Sequence, residues 1–276
     1  MLKKKNILIL GGTGFIGRNL VETLSKNKNL NIFATYNKRN NFYCKNVKWI
    51  KINLKNKNKI DKILKNKDTV IQAAAITTSS KDVVNKPYIH VTDNIIINTL
   101  LLRSSFENNI KHFIFFSCTV MYNTSNLKHS ETSRNLIKEN SPYYGVGSMK
   151  MYIEKQALFY SKLNRTKFTI LRHSNIYGPY DKFDENTSHV LPNFIKKAMN
   201  NNKVFNIWGN GKSVRDFLHI NDLISCVKIL INKQKLSYQV FNVGSDKPIN
   251  ISKLAHIVLS ILKKKKLIKY IKTKHA

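Results

Sequence analysis

Acidic residues are in short supply: 15 Asp and Glu stand against 48 Lys and Arg in 276 residues, a formal charge of +33. Cysteine is scarcer still, with Cys44, Cys118 and Cys226 far apart and no CxxC spacing. This argues against a disulfide framework and a zinc site; a reducing, cytoplasmic location is expected, with no metal. Long hydrophobic runs are also missing. Met1-Leu2-Lys3-Lys4-Lys5 leads only into the short run Ile7 to Leu10 before glycines interrupt it, so neither a membrane span nor a cleaved signal peptide is expected.

Arginine is rare as well, seven residues beside 41 lysines and 35 asparagines. A surface this basic would bind polyanions by counterion release, yet phosphate and base readers cluster their charge and favour the guanidinium fork. Here the charge is smeared through Lys-Asn-Ile stretches such as Lys55-Asn56-Lys57-Asn58-Lys59. It reads as compositional drift of the kind an AT-rich genome produces, and no nucleic-acid partner is expected. The charge would still attract an anionic substrate.

What the sequence does have is alternation. Ile7–Leu10, Ile32–Thr35, Val47–Ile52, Thr69–Ala75, His112–Ser117 and Phe168–Arg172 read as strands, with helices expected at Phe15–Lys26, Ile60–Lys65, Asp93–Asn108 and Lys150–Leu163. Near-continuous apolar strands alternating with helices predict a doubly wound parallel α/β sheet of the Rossmann type. Past Ile176 the pattern loosens, with helices expected at Leu191–Asn201, Asn221–Asn232 and Ile251–Lys263 and at most one strand in the tail Leu267–Ile271. Residues 1–175 are therefore expected to form the dinucleotide-binding domain and 176–276 a smaller substrate lobe.

The sharpest local signal is Gly11-Gly12-Thr13-Gly14-Phe15-Ile16-Gly17, between the first strand and an amphipathic helix. Glycines at 11, 14 and 17 permit a tight turn, close approach of backbone to a pyrophosphate, and tight helix-strand packing; the helix N-terminus supplies amides for the phosphates. At the end of the second strand, where a carboxylate would grip the ribose of NAD, the chain reads Asn37-Lys38-Arg39. Two cations there suit a 2′-phosphate, so NADP is favoured, with NAD left open.

These features, with Val70-Ile71-Gln72-Ala73-Ala74-Ala75 and Phe115-Phe116-Ser117-Cys118-Thr119-Val120-Met121-Tyr122, resemble the extended short-chain dehydrogenase/reductase family, the nucleotide-sugar epimerases, dehydratases and reductases. Asn175-Ile176-Tyr177-Gly178-Pro179, Ser188-His189-Val190, Trp208-Gly209-Asn210-Gly211 and Arg215-Asp216-Phe217-Leu218-His219, in that order, most resemble its GDP-L-fucose synthase branch. The resemblance implies a 4-keto reductase or epimerase for an activated deoxyhexose in polysaccharide synthesis, and a homodimer formed through the two long helices. It also implies cofactor contacts at Ala73, Ala74, Ala75, His173, Asn175 and Ile176, and substrate contacts at Asn175, His189, Lys197, Trp208 and Arg215. Chains of this kind continue past the position of Ala276, so the lobe is expected to be short.

The resemblance further implies a tyrosinate acid/base, a lysine that lowers its pKa and holds the ribose, and a Ser or Thr hydroxyl on the sugar oxygen. Lys150 matches the lysine. The tyrosine position four residues before it holds Val146, and Tyr144 and Tyr143 stand six and seven residues away instead. Gly145 and Gly147 disfavour a continuous helix there, so a loop is expected to bring Tyr144, or else Tyr143, into place. The hydroxyl position holds Cys118, with Ser117 and Thr119 beside it, and His189 is a candidate acid/base or a substrate contact. Two alternatives stay open: a catalytically impaired NAD(P)-binding sensor or subunit, and a nucleic-acid-associated member of the family.

Overall fold

The computed structural model describes residues 4–77, 86, 88–123, 128–184 and 188–272. The chain opens with β1 (Lys5–Leu10), α1 (Phe15–Leu24), β2 (Leu30–Tyr36), β3 (Val47–Lys51), α2 (Lys57–Leu64) and β4 (Thr69–Gln72). It continues through α3 (Tyr88–Glu107), β5 (His112–Cys118), a 3₁₀ turn over Thr119–Met121, α4 (Tyr144–Ser161) and β6 (Lys167–His173). Beyond these come β7 (Asn175–Tyr177), α5 (Val190–Met199), β8 (Val204–Trp208), β9 (Val214–Arg215), β10 (Phe217–His219) and α6 (Ile220–Lys233). Last are β11 (Tyr238–Val243), β12 (Ile249–Asn250), α7 (Ile251–Ile261) and β13 (Leu267–Ile271).

Seven strands form one all-parallel sheet in the order β3-β2-β1-β4-β5-β6-β11. β1 shows why it sits at the centre. Ile7, Leu8, Ile9 and Leu10 are all fully buried, and strand alternation sends Ile7 and Ile9 into one core and Leu8 and Leu10 into the other. The first core adds Leu20 and Val21 of α1 and Leu223 and Val227 of α6; the second adds Leu64 of α2, Leu101 of α3 and Ile153 of α4. Each such side chain contributes about 1.5–3 kcal/mol relative to exposure. Chain order reverses between β1 and β4, and the carboxyl ends of those strands open the crevice where ligands bind in such sheets.

The doubly wound α/β fold expected from the sequence is present, with differences in detail. β4 ends at Gln72, not Ala75, because the Gln72 side chain captures the next turn: Ala74 N donates to Oε1 at 3.2 Å and Nε2 donates to Ala74 O at 3.0 Å. α2 begins at Lys57, three residues before the expected start, where Asn56 caps it by accepting from Lys59 N at 3.0 Å. α4 begins at Tyr144, which corrects the loop expected over 143–149. The seventh strand, β11, was not among those expected; it and α6 come from beyond residue 176 yet join the main sheet and one of its covering layers.

The rest of the second half gathers around a third core, Phe194 and Ala198 of α5, Phe205 and Ile207 of β8, and Leu254 and Val258 of α7. β13 pairs in parallel with β8, and two short ladders, β7 with β10 and β9 with β12, tie this part to the sheet's open end. Among the described residues no helix is long and apolar enough to cross a membrane, and no group of three or more His, Cys, Asp or Glu could hold a metal ion.

Candidate active site

The glycine loop is fixed by contacts that leave no room for a side chain at Gly11, Gly12 or Gly17. Gly11 has φ +74°, and a Cβ on it would lie 2.6 Å from Ala74 Cα; one on Gly17 would lie 2.1 Å from Gly11 O. Thr35 at the end of β2 holds the loop, its Oγ1 accepting from Gly11 N at 3.0 Å and its carbonyl from Gly12 N at 2.8 Å. Arg18 N is the first amide of α1 to find an acceptor, Gly14 O at 2.8 Å, so the amides of Phe15, Ile16 and Gly17 open the helix with donors to spare. A cradle that Cβ atoms would fill, beneath free helix amides, fits a dinucleotide pyrophosphate. Ala73 and Ala74 follow β4 directly against it, and Ala75 beyond them is exposed. Of the three residues after β2, Asn37 and Lys38 are exposed, while Arg39 reaches back to donate from Nη1 to Thr13 O at 3.2 Å.

At the other end of the crevice Lys150 leaves α4 and donates from Nζ to Phe116 O at 2.8 Å, its charge 4.7 Å from the centre of the Phe115 ring. Burial lowers its pKa, and the Cys118 thiol and Glu154 partly restore it. Cys118 shows the converse: burial pushes the thiol up and the Lys150 charge pulls it back, so the two side chains face each other electrostatically. Ser117 is fully buried, as alternation along β5 demands, with no partner for its Oγ among the described residues, and Thr119 opens the 3₁₀ turn, its carbonyl accepting from Tyr122 N at 3.0 Å. His173, at the end of β6, is held neutral by burial, its pKa lowered to about 4; its Nδ1 is 2.7 Å from Ser174 O, and Lys150 and His189 both bear on it. His189, exposed at the start of α5, in turn bears on Asp181.

The α4 helix decides the geometry of the two tyrosines. Its glycines serve close approach: a Cβ on Gly147 would lie 2.8 Å from Ile137 Cγ2 and 3.3 Å from Met121 Cα. At about 100° per residue, Tyr144 stands about 120° around the helix from Lys150, whereas Tyr143, the N-cap, falls within about 20° of it two turns away. Tyr144 is 38% exposed and lines a shallow surface depression with Leu136, Lys138, Glu139 and Met151. Val146, at the tyrosine position of the resemblance, packs against the second core.

On the substrate side the structure brings some residues together and separates others. Asn175 is anchored by two bonds to Asp216 O, from its backbone N at 3.1 Å and Nδ2 at 3.0 Å, while Ile176 is buried in the first core. Lys197 donates to Asn206 O at 3.0 Å and lies 5.7 Å from the ring centre of Trp208, which is 60% exposed. Arg215 stands on a different ladder, exposed on β9, with Nη1 donating to Val214 O at 2.8 Å.

Sequence reasoning missed the polar frame behind this site. Glu154, 4% exposed, takes the guanidinium of Arg172 through Nη2 at 2.7 Å and Nε at 3.1 and 3.2 Å; Arg172 Nη1 then donates to Tyr122 Oη at 2.6 Å, and Tyr122 Oη donates to Asn242 Oδ1 at 2.8 Å. The signal available was position: Glu154 lies one helical turn past Lys150, and charge on an otherwise apolar helix face needs a partner.

The profile of the NAD dependent epimerase/dehydratase family matches residues 7–244. A dTDP-D-glucose 4,6-dehydratase of Dictyostelium discoideum is 29% identical over 280 residues, which cover 93% of this chain and 62% of that protein. A GDP-L-fucose synthase of Sinorhizobium fredii is 26% identical over 271 residues, covering 95% and 81%. The structure of a UDP-N-acetylglucosamine 4-epimerase from Methanobrevibacter ruminantium in complex with UDP-N-acetylmuramic acid superposes with a TM-score of 0.85 at 27% identity, covering 100% of this chain and 88% of that one. GDP-L-fucose synthase is thus one of several nucleotide-sugar enzymes at comparable distance. With the glycine loop, the parallel sheet and Lys150 in place, the chain belongs to the NAD dependent epimerase/dehydratase family, a family of enzymes.

Proposed function

We propose that the protein is an NADP(H)-dependent 4-keto reductase or epimerase acting on a nucleotide-diphosphate deoxyhexose, in the manner of GDP-L-fucose synthase. The observation that carries this reading is a continuous path of groups along the carboxyl edge of the sheet. It runs from Arg39 at the glycine loop through Lys182, Asp181 and His189 to His173 and Lys150, which stands against Cys118. A nicotinamide bound in this crevice would supply or accept the hydride at the sugar C4. Lys150 would hold its ribose and keep positive charge beside the reacting oxygen, Cys118 or Thr119 would contact that oxygen, and Tyr143, on the Lys150 face, would hold or release the proton ahead of Tyr144. His189 would serve at the sugar ring, and Asn175, Lys197, Trp208 and Arg215 would receive the nucleotide diphosphate. Residues 176–276, less β11 and α6, would form the substrate lobe, and two copies would pair through α3 and α4, where Tyr152 and Phe159 are exposed.

The test is consumption of reduced nicotinamide with GDP-4-keto-6-deoxymannose, comparing wild type with Lys150→Ala, Tyr143→Phe and Tyr144→Phe, with product stereochemistry read by NMR. Loss of turnover in Lys150→Ala and in one tyrosine variant is the expected result. Val146 favours one rival, a dinucleotide-binding sensor or subunit without turnover. NADPH binding with no turnover on GDP, UDP or dTDP sugars would decide for it.

A further inference from the structure

The segment from Gly178 to Lys182 crosses the start of α1 and is tied down along its length. Asn19 Nδ2 donates to Pro179 O at 2.9 Å, and the Arg18 guanidinium lies between two rings, 3.8 Å from the centre of Tyr180 and 4.4 Å from that of Phe42. Tyr180 has φ +71°, in the left-handed region that penalises a bulky side chain, so these contacts hold a strained turn. Asp181 N closes it on Gly178 O at 3.3 Å.

The turn delivers Lys182 to the exit of β4, where Nζ donates to Thr77 O at 3.1 Å and to Thr77 Oγ1 at 3.3 Å. Arg39 does the same on the other side of the crevice, through Thr13 O. Gly11 and Ala74 abut below, so the Thr13 and Thr77 loops are adjacent and both cations lie over them. Burial and then the nearby charge of Arg39 lower the Lys182 pKa. Among the described residues neither cation forms an ion pair with a carboxylate. Asp181 beside them accepts from Lys182 N through Oδ1 at 2.7 Å and offsets part of the Lys182 shift, yet it forms no ion pair with either cation, and among the described residues its buried Oδ2 has no hydrogen-bond partner. Two like charges held together on backbone oxygens, with donors left over, form an arrangement that an anion completes.

We propose that Lys182, carried in from the second half of the chain, is a phosphate ligand for the dinucleotide and closes a two-cation clamp with Arg39 over the glycine loop. The inference rests on the dinucleotide reading above and adds to it a residue that neither the glycine motif nor the β2 end contains. Titration calorimetry with NADPH, NADH and a GDP-sugar tests it on wild type, Lys182→Gln, Arg39→Gln and Lys182→Arg, each checked by circular dichroism. Lys182→Gln should weaken NADPH about ten-fold, and Lys182→Arg should recover most of that. A loss shared by NADH places Lys182 at the pyrophosphate; a loss confined to NADPH places it at the 2′-phosphate. Either supports the clamp. Unchanged affinity for both dinucleotides in Lys182→Gln, or a loss confined to the sugar nucleotide, overturns it. Wild type that binds neither dinucleotide overturns the underlying reading instead.

Discussion

The two ends of the crevice are built to different standards of family likeness. At the phosphate end, every glycine the motif requires is present, Gly11 and Gly17 are sterically enforced, and the neighbouring Ala74 and Thr35 fit the loop by direct contact. At the end proposed for the chemistry, Lys150 reaches Phe116 O, but where the resemblance implies a tyrosine there is a packed Val146, and where it implies a hydroxyl there is Cys118. A pyrophosphate seat depends on backbone geometry, which only glycine permits. Proton transfer depends on a side chain, which can be supplied from more than one place.

The largest effect that could break this contrast is expected at Gly17. A methyl group there would lie 2.1 Å from Gly11 O, so Gly17→Ala must displace the loop or the helix. We expect dinucleotide binding to be lost and stability to fall by about 3 kcal/mol, read by titration and denaturant unfolding. Retained binding would show that the loop is not the seat. Next is Lys150→Ala. It should reduce turnover about 10²-fold or more while dinucleotide binding, followed by fluorescence, changes much less. Equal losses in both would move Lys150 from the chemistry to the binding end of the comparison.

Histidine titration offers a third probe. His112, at the start of β5 with Nε2 2.8 Å from Thr169 Oγ1, has its pKa lowered to about 4, chiefly by burial, as does His173 at the site. In the unfolded chain both return to about 6.5, so between pH 6.5 and 4 the unfolded state binds the extra protons. Stability is therefore lost as pH falls through that window and levels off below it, by at most about 3 kcal/mol for each group. Thermal unfolding from pH 7 to 4 should show the slope, and His112→Asn should flatten part of it. A flat profile in wild type would mean that these rings are not held neutral by burial.

How much of this was legible in the sequence follows the same divide. The glycine loop and six of the seven central strands could be read because each rests on local pattern: near-continuous apolar runs, or a turn chemistry confined to a few residues. β11 escaped because Tyr238-Gln239-Val240-Phe241-Asn242-Val243 mixes polar residues into an edge strand whose members are all only half-buried. The Arg172–Glu154 pair and the turn at Tyr180 escaped because they join residues distant in sequence. Gly145 and Gly147 misled by propensity. In isolation they argue against a helix, but Gly147 lets α4 press against Met121 and Ile137, and that packing outweighs a cost of about 1 kcal/mol per glycine.

That last reversal yields the smallest expected effect. With α4 continuous from Tyr144, the side chain nearer the family's tyrosine by sequence is the one turned away from Lys150, toward Leu136 and Met151. Among the described residues its hydroxyl makes no hydrogen bond, so Tyr144→Phe should leave turnover within about two-fold of wild type, as surface substitutions generally do. Tyr143→Phe, on the Lys150 face, should cost far more, and the ratio of the two rates measures how much the helix phase governs the chemistry. If Tyr144→Phe is the deeper loss, the first turn of α4 must unwind when substrate binds, and the chemical end would be assembled by the ligand while the phosphate end stands preformed.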